Sequence, residues 1–337
     1  MQNTNMKKFS RVLRSKKIRF GIKAAISVIL LIWLIFFVEW REVARTIVAI
    51  NPWYVASYLA VYVCGLLISA YKWRLLAAFK GFSYTLTSFF RWYLIGTFVN
   101  NFMPSFIGGD AYRAYALGRE SKNYIAASAT IVADRVTGFA GVMALTVLFG
   151  ALAIGSATTN TAQIALYIAG VLTLLCIMAI LLLRRAPFAD FLTGILPAWL
   201  AHYLRDIWHY RTQHIFWPAI AFSILFSLIG LAAANYLLFL AVGIAPPLLP
   251  YLGIIFFISI VSSLPVSIGN IGVKEWAYIL FFVDVGISSS VAISVVFIGR
   301  ILQMIVSIFA VPLYLHMRED FARDRREMTN ALPPRQS

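Results

Sequence analysis

Charged residues are scarce in this sequence. They make up 12% of its 337 residues, whereas an average soluble domain has about 25%. Hydrophobic residues make up 61%, and the mean hydropathy is +0.82. This composition excludes a soluble protein with an ordinary core. It predicts an all-α polytopic membrane protein.

Cysteine and the signatures of metal and nucleotide sites are also scarce. The two cysteines, Cys64 and Cys176, lie in separate hydrophobic segments, so neither a disulfide framework nor a cysteine-rich metal site is indicated. The four histidines lack metal-ligand spacing such as H-E-x-x-H, and the chain has no P-loop, no dinucleotide fingerprint and no G-x-S-x-G elbow. We therefore expect no cofactor and no metal, and we expect that the protein is not an enzyme.

Acidic residues are fewer than basic ones, 13 against 29, which gives a net charge of +16. The excess lies mainly at the two ends of the chain, where it flanks hydrophobic segments. This placement is typical of the cytoplasmic side of a membrane protein and argues against nucleic-acid binding. We therefore expect two cytoplasmic tails, residues 1–19 and 317–337, and attraction to anionic lipid headgroups. The basic residues concerned are Lys7, Lys8, Arg11, Arg14, Lys16, Lys17, Arg19 and Lys23, and Arg318, Arg323, Arg325 and Arg326.

Long apolar segments fill a predicted membrane domain over residues 20–316. A spanning helix needs about 20 mostly apolar residues. Two further apolar segments are interrupted, 86–107 and 250–283, and the amphipathic segment 184–214 is predicted to lie along the interface. The six predicted full spans are 20–38, 52–71, 124–150, 162–183, 215–242 and 289–316.

Charge placement decides what the interrupted segments are. With a cytoplasmic N-terminus, the second span returns to a basic loop that holds Lys72, Arg74 and Lys80. Segment 86–122 then begins and ends on the cytoplasmic side, and segment 250–288 begins and ends outside. The sequence therefore predicts two oppositely oriented re-entrant helical hairpins in addition to the full spans.

Proline and glycine break both segments in a similar way. The sequence "PSFIGGD" at 104–110 aligns with "PVSIGNI" at 265–271, and each break precedes a helix that contains an arginine. This likeness predicts an inverted-topology repeat with halves at about 52–183 and 215–316, in which discontinuous helices meet near the midplane. The alternative is a pair of ordinary helix ends with loops outside the membrane. The residues that form the predicted breaks are Pro104, Gly108, Gly109, Pro265, Gly269 and Gly272.

Several charged residues are predicted to lie within the membrane. Asp134 and Arg135 follow the start of their span by about ten residues, and Arg300 is similarly deep in the last span. A charge at the centre of a helix costs at least about 2.5–3.5 kcal/mol on insertion, so it normally faces a cavity or a partner. Asp134 and Arg135 point in different directions on a helix, so each needs a partner elsewhere. Structural ion pairs that lock helices together are the alternative to a ligand site.

The same charges are candidates for binding a lipid headgroup. Guanidinium groups suit phosphate oxygens, and the carboxylates would hold the basic groups in place or contact a cationic headgroup. Lys274 and Glu275 follow the second break and are predicted to belong to its tip; the alternative is a solvated pair in a loop. The predicted headgroup-binding residues are Arg113, Arg135, Arg300 and Lys274, with Asp110, Asp134 and Glu275.

The motifs around these residues resemble those of the lysylphosphatidylglycerol synthase transmembrane-region family, the flippase-like integral membrane proteins. They are N-x-x-P-x-x-x-G-G-D-x-x-R from Asn101 to Arg113, A-D-R-x-x-G from Ala133 to Gly138, and P-x-S-I-G-x-x-G-V-K-E from Pro265 to Glu275. Three residues depart from the usual pattern of the family, with similar charge or small polar size. They are Asp134 for glutamate, Asn270 for glycine and Lys274 for arginine.

The resemblance implies a lipid-handling domain in the cytoplasmic membrane of a prokaryote. In some relatives such a domain is fused to a synthase that aminoacylates phosphatidylglycerol; this chain ends at Ser337, so we expect a stand-alone member without it. We expect a translocase of a phospholipid or of a polyprenyl or glycolipid headgroup, whose partners are lipids with anionic or aminoacylated headgroups.

Two other functions remain open from the sequence. One is a non-transporting scaffold or accessory subunit for a lipid-modifying enzyme or glycosyltransferase. The other is an intramembrane enzyme with Asp110 or Glu275 as its base. An oligomer is compatible with either function.

Overall fold

All the secondary structure that the computed structural model describes is helical. The described residues are 29–30, 32–33, 35–36, 38–102, 108–153, 215–263, 267 and 271–315. Their helices, in chain order, are α1 (Trp40–Val48), α2 (Pro52–Phe79), α3 (Leu86–Phe102), α4 (Gly108–Ser121), α5 (Tyr124–Ala153), α6 (Phe216–Ala241), α7 (Leu248–Ser263), α8 (Val273–Val283) and α9 (Ser289–Leu315).

Four of these helices are long and apolar enough to cross a membrane. They are α2, α5, α6 and α9, with 28, 30, 26 and 27 residues. They agree with four of the six predicted spans and with the predicted class, an all-α polytopic membrane protein. The predicted span 162–183 and most of the span 20–38 lie outside the described residues. So do the tails 1–19 and 317–337 and the predicted interfacial segment 184–214.

Helix α2 is longer than the predicted span. It starts where Asn51 accepts a hydrogen bond from the Trp53 backbone N–H, with Pro52 in the first helical turn, and it continues to Phe79. The prediction that Lys72 and Arg74 lie in a basic loop is wrong, because both are inside this helix. The chain reverses only at Gly81, whose φ of +86° suits glycine, and no proline or glycine interrupts the segment between 66 and 80.

Helices α2 and α6 cross at a pair of glycines. A Cβ atom on Gly65 would lie 2.6 Å from the Gly230 Cα, and one on Gly230 would lie 2.8 Å from the Gly65 Cα. Gly230 lies in a π-helical stretch of α6, Ser227–Ala233. The two backbones therefore touch, and even one methyl group at either position would separate them.

The described residues of each interrupted segment form two short helices. Helices α3 and α4 have 17 and 14 residues, and α7 and α8 have 16 and 11. At 1.5 Å per residue they are roughly 16–25 Å long, whereas the hydrocarbon layer is about 30 Å thick. Each pair packs together, α3 with α4 and α7 with α8. In addition, α3 contacts α9 and α7 contacts α5, so each pair reaches the long helix of the other half.

The largest apolar core joins the two halves. It includes buried residues of α2, α5, α6, α7, α8 and α9, with a concentration of aromatic side chains between α6, α7 and α8. The Tyr251 hydroxyl donates to the Ala232 carbonyl in the π-helical stretch, at 2.6 Å. The Tyr278 hydroxyl donates to the Asn235 side chain at 2.9 Å. The buried tyrosines are therefore both apolar fillers and hydrogen-bond donors in this core.

The glycine crossing leads to a stability prediction. Replacing Gly65 by alanine forces α2 and α6 apart, so we expect a loss of about 1–3 kcal/mol, the usual cost of overpacking. The measurement is thermal stability of the purified protein. Gly253→Ala is the matched control: it also lies in a helix facing another helix, but its Cβ would have ordinary contacts at 3.6 Å. Equal stability of the two variants would contradict the close crossing.

Candidate functional site

Asp134 is the centre of a buried ion-pair network in the first half. Its Oδ1 lies 2.8 Å from the Lys72 Nζ, and its Oδ2 accepts from the Arg113 guanidinium at 2.6 Å. Lys72 also contacts the Asp134 carbonyl at 3.1 Å and the Ser223 hydroxyl at 3.2 Å. These contacts connect four helices, α2, α4, α5 and α6. A carboxylate in this position is stable because two cations surround it.

Arg113 is enclosed on all the sides that the structure describes. Its guanidinium lies over the rings of Trp73 and Tyr93, 4.6 Å and 4.5 Å from their centroids, in addition to its contact with Asp134. Its side chain is 5% exposed, and its NH1 is 3.6 Å from the Asp110 Oδ1. Such cation–π contacts stabilise a guanidinium that has been removed from water. The geometry therefore favours a structural role for Arg113 over the predicted contact with a headgroup.

Arg135 forms a separate pair. Its Nε donates to the Asp110 Oδ2 at 2.6 Å, and its side chain is 40% exposed. As expected from their different directions on α5, Asp134 and Arg135 bind different partners. We call Lys72, Asp110, Arg113, Asp134 and Arg135 the N-terminal cluster.

A smaller group occupies the second half. The Arg300 NH2 lies 2.7 Å from the Glu275 Oε1, and the Glu275 Oε2 accepts from the Gly272 backbone N–H at 2.8 Å. Gly272 has a φ of +87°, in the region that favours glycine, and it immediately precedes α8. The Lys274 ammonium lies 5.7 Å from the centroid of the Tyr278 ring. We call Lys274, Glu275 and Arg300 the C-terminal cluster.

The two clusters share one ion pair with identical spacing. In each, a carboxylate in the first turn of a short helix binds an arginine 25 positions later in a long helix: Asp110 with Arg135, and Glu275 with Arg300. Equivalent residues of the two pairs are 165 positions apart, the same separation as Gly65 and Gly230. The two pairs therefore occupy corresponding places in their halves.

The first break is described only in part. Gly108 and Gly109 begin α4, and the Gly109 N–H donates to the Asn100 side chain at 2.7 Å. A Cβ on Gly109 would collide with the Gly96 carbonyl oxygen. The break residues Pro104, Pro265 and Gly269 lie outside the described residues. Asn100 thus satisfies a backbone group beside the break.

Sequence reasoning missed Lys72, which is 6% exposed and essential to the network around Asp134. The continuous helical segment from Pro52 to Phe79 could have indicated its position, because it places this lysine inside the helix. Trp73 and Tyr93 were also missed as partners of Arg113. No sequence motif marks them, because their role depends on how α2 and α3 face α4.

Comparison with known proteins decides the family. Residues 22–310 match the family described as the lysylphosphatidylglycerol synthase TM region. The chain belongs to this family. As a member of the lysylphosphatidylglycerol synthase TM region family it is a multi-pass membrane protein, and the resemblance of its motifs is confirmed.

The chain is similar to one curated protein, UPF0104 membrane protein MJ1595 of Methanocaldococcus jannaschii. The two are 26% identical over 127 residues, which is 37% of this chain. The chain matches only 38% of the length of that relative. No solved structure matches the chain.

The network around Asp134 makes a second stability prediction. Asp134→Asn leaves Lys72 and Arg113 buried without their carboxylate, so we expect a loss of about 3–5 kcal/mol. Unfolding of the purified protein by heat or denaturant measures this loss. Glu42→Gln is the control, because this carboxylate is exposed on α1 and its loss should change stability by less than about 0.5 kcal/mol. An Asp134→Asn protein as stable as the control would show that the network does not hold the helices.

Proposed function

We propose that this protein is a lipid translocase, which moves a lipid with a phosphate-containing headgroup across the cytoplasmic membrane. The observation that carries the proposal is the pair of matching ion pairs, Asp110 with Arg135 and Glu275 with Arg300, at the starts of α4 and α8, the helices that follow the two breaks. In this proposal the protein is a transporter and not an enzyme.

The depth of the two arginines supports a midplane site. Arg135 is 11 residues after the start of α5 at Tyr124, and Arg300 is 11 residues after the start of α9 at Ser289. At 1.5 Å per residue both are roughly 16 Å from the nearer helix end, about half of a 30 Å hydrocarbon layer. A charge at this depth normally faces a water-filled cavity or a partner.

Contacts of α3 and α4 support the first re-entrant hairpin. Asn101, near the end of α3, donates to the Gln303 carbonyl and to the Ser307 hydroxyl of α9. Those residues precede the end of α9 by 12 and 8 positions, or roughly 12–18 Å, so α3 ends within the layer. Gly118, near the end of α4, packs against Tyr124 at the start of α5. In this arrangement the chain enters the layer along α3 and returns to the same side along α4.

Corresponding features support the second hairpin and its opposite orientation. Helix α8 begins beside Arg300, deep in the layer, and ends six residues before Ser289, where α9 starts. The Asn51 N–H donates to the Ala241 carbonyl at 2.9 Å, which joins the start of α2 to the end of α6. Helices α2 and α6 are therefore antiparallel neighbours.

We infer an inverted-topology repeat from these features taken together. In both halves the order is one long helix, two short ones and one long one, and corresponding starts are 162–165 positions apart. The glycine pair at the crossing of α2 and α6 fits a pseudo-two-fold axis, because equivalent residues touch each other only on such an axis. Inverted repeats of this kind place substrate sites between discontinuous helices near the midplane and give alternating access.

The chemistry of the paired arginines suits a lipid phosphate. A guanidinium presents donors in a planar fork that matches phosphate oxygens. The side chains of Arg135 and Arg300 are 40% and 24% exposed, so a ligand can reach them. Asp110 and Glu275 hold the arginines in position while no lipid is bound. With both termini cytoplasmic, the first hairpin would open to the cytoplasm and the second to the outside.

Lipid movement in proteoliposomes tests this function. Fluorescent anionic, zwitterionic and aminoacylated lipids are compared for the native protein and for Arg135→Gln with Arg300→Gln. We expect the native protein to move lipids of one headgroup class. In the double variant the rate of this movement should fall to that of empty liposomes, because the lipid phosphate loses both guanidinium groups. Arg41→Gln with Arg45→Gln is the control, since both arginines are exposed on α1.

Two results would contradict the proposal. If the double variant folds and moves lipid at the native rate, the arginines do not carry the lipid. If the native protein moves no lipid on the panel, a scaffold that binds a lipid-modifying enzyme or a glycosyltransferase becomes the better function. Co-purification of such an enzyme would support that alternative.

A further inference from the structure

We propose that the two halves act unequally: the C-terminal cluster holds the phosphate anion more tightly, and Lys72, Arg113 and Asp134 of the N-terminal cluster form a fixed clamp between helices. The inference rests on the proposed function, since it assigns the substrate site of the proposed translocase. It names Lys274 and Arg300 as the anion ligands. Lys72, Arg113 and Asp134 become positioning residues that hold the first half in place.

The balance of charge differs between the two clusters. In the N-terminal cluster three cations share two carboxylates, and each carboxylate contacts two cations. In the C-terminal cluster two cations share one carboxylate, which contacts Arg300. Within the described residues Lys274 has no ion pair and lies over the Tyr278 ring instead. Lys274 is partly buried, within electrostatic range of Glu275, which attracts it, and of Arg300, which repels it. An anion bound by Arg300 would offset that repulsion.

The two halves also differ in sequence at the positions of these charged residues. With the separation of 165 positions that relates the two arginines, Lys274 corresponds to Gly109. The C-terminal cluster thus has a cation where the first half has none. In the other direction, the clamp has no equivalent in the second half: the residues that correspond to Lys72, Arg113 and Asp134 are Leu237, Tyr278 and Gly299.

The two ion pairs differ in their exposure to solvent. The side chains of Arg300 and Glu275 are 24% and 2% exposed, whereas those of Arg135 and Asp110 are 40% and 14% exposed. Electrostatic attraction is stronger where water is excluded. A contact between an anion and Arg300 is therefore screened less by water than one between an anion and Arg135.

The ion pairs that join the short helices to the long ones also favour anion binding in the second half. Two strong ion pairs join α4 to α5, Arg113 with Asp134 and Arg135 with Asp110, so a ligand that takes Arg135 leaves α4 attached. Helix α8 is joined to α9 by Glu275 and Arg300. When Arg300 turns to an anion, Glu275 keeps its hydrogen bond from the Gly272 N–H at the start of α8, where a negative charge is stabilised. Anion binding can therefore detach Arg300 from α8 without leaving the Glu275 carboxylate unpaired.

Binding of short-chain lipids to the purified full-length protein tests the inference without any transport. The probes are dihexanoyl phosphatidylglycerol, dihexanoylglycerol and inorganic phosphate, with affinity measured by calorimetry. We expect the phosphatidylglycerol probe to bind and the uncharged dihexanoylglycerol to bind at least tenfold more weakly. Inorganic phosphate binding as tightly as the lipid probe would assign the site to a free anion and overturn a lipid ligand.

Paired variants locate the site. Lys274→Gln and Arg300→Gln should each weaken binding of the phosphatidylglycerol probe about tenfold, the effect of losing one charge-assisted contact. Lys274→Arg should bind within about threefold of the native protein, because it keeps the charge. Arg135→Gln is the comparison variant in the other half and should weaken binding less than Arg300→Gln does. Arg41→Gln, exposed on α1 and outside both clusters, is the control that should leave the affinity unchanged. Lys274 makes no ion pair in the described residues, so its variants should fold.

The outcomes separate this inference from the proposed function. Equal or greater loss of affinity in Arg135→Gln than in Arg300→Gln would overturn the unequal halves, and the translocase would stand if lipid still moves. Native affinity in Lys274→Gln would also overturn the inference. Binding that depends on Lys274 and Arg300 in a protein that moves no lipid would support the site and contradict the translocase.

Discussion

Buried charge in an apolar environment is the constraint on which this structure depends. Asp134 lies deep in a helix that is otherwise suited to a bilayer, and an unpaired carboxylate there would be severely destabilising. Lys72 and Arg113 remove that penalty, and they do so from two other helices. The network therefore fixes the positions of α2, α4 and α5 relative to one another. Apolar packing alone would leave those positions open, since lipid tails solvate leucine as well as another helix does.

Close backbone contact complements these ion pairs. The glycines of α2 and α6 allow the long helices to touch, and small residues are what membrane helices use where they approach closely. Together the glycine crossing and the charged clusters define a frame of four long helices. The short helix pairs lie within that frame, each between the long helices of both halves. In the proposed mechanism these short pairs are the parts that meet the lipid headgroup.

The two halves of this frame differ in their ion pairs. The first half is tied to its neighbours through Asp134, whereas the second half has a glycine at the corresponding position, Gly299. A translocase with two equal sites would have no reason to differ in this way. We therefore associate the fixed half with stability and the less constrained half with binding.

Much of the fold could be predicted from the sequence, because hydropathy and span length are one-dimensional signals. The four described spans and the placement of the two broken segments follow from them. The end of α2 was misjudged because Lys72 and Arg74 look like a cytoplasmic loop when charge is considered without helix continuity. The choice of partners for Asp134 and Arg135 could not be predicted, since it depends on the rotation of each helix about its axis.

Cysteine labelling from each side of the membrane tests the central claim most directly. In a variant without Cys64 and Cys176, single cysteines replace Ser83 and Lys122, which flank the first hairpin, and Ala245 and Ser288, which flank the second; all four positions are exposed. We predict that a membrane-impermeant thiol reagent labels the first two from one face only and the last two from the opposite face only. Labelling of Ser83→Cys and Lys122→Cys from opposite faces would mean that α3 and α4 cross the membrane, and it would contradict re-entrant hairpins.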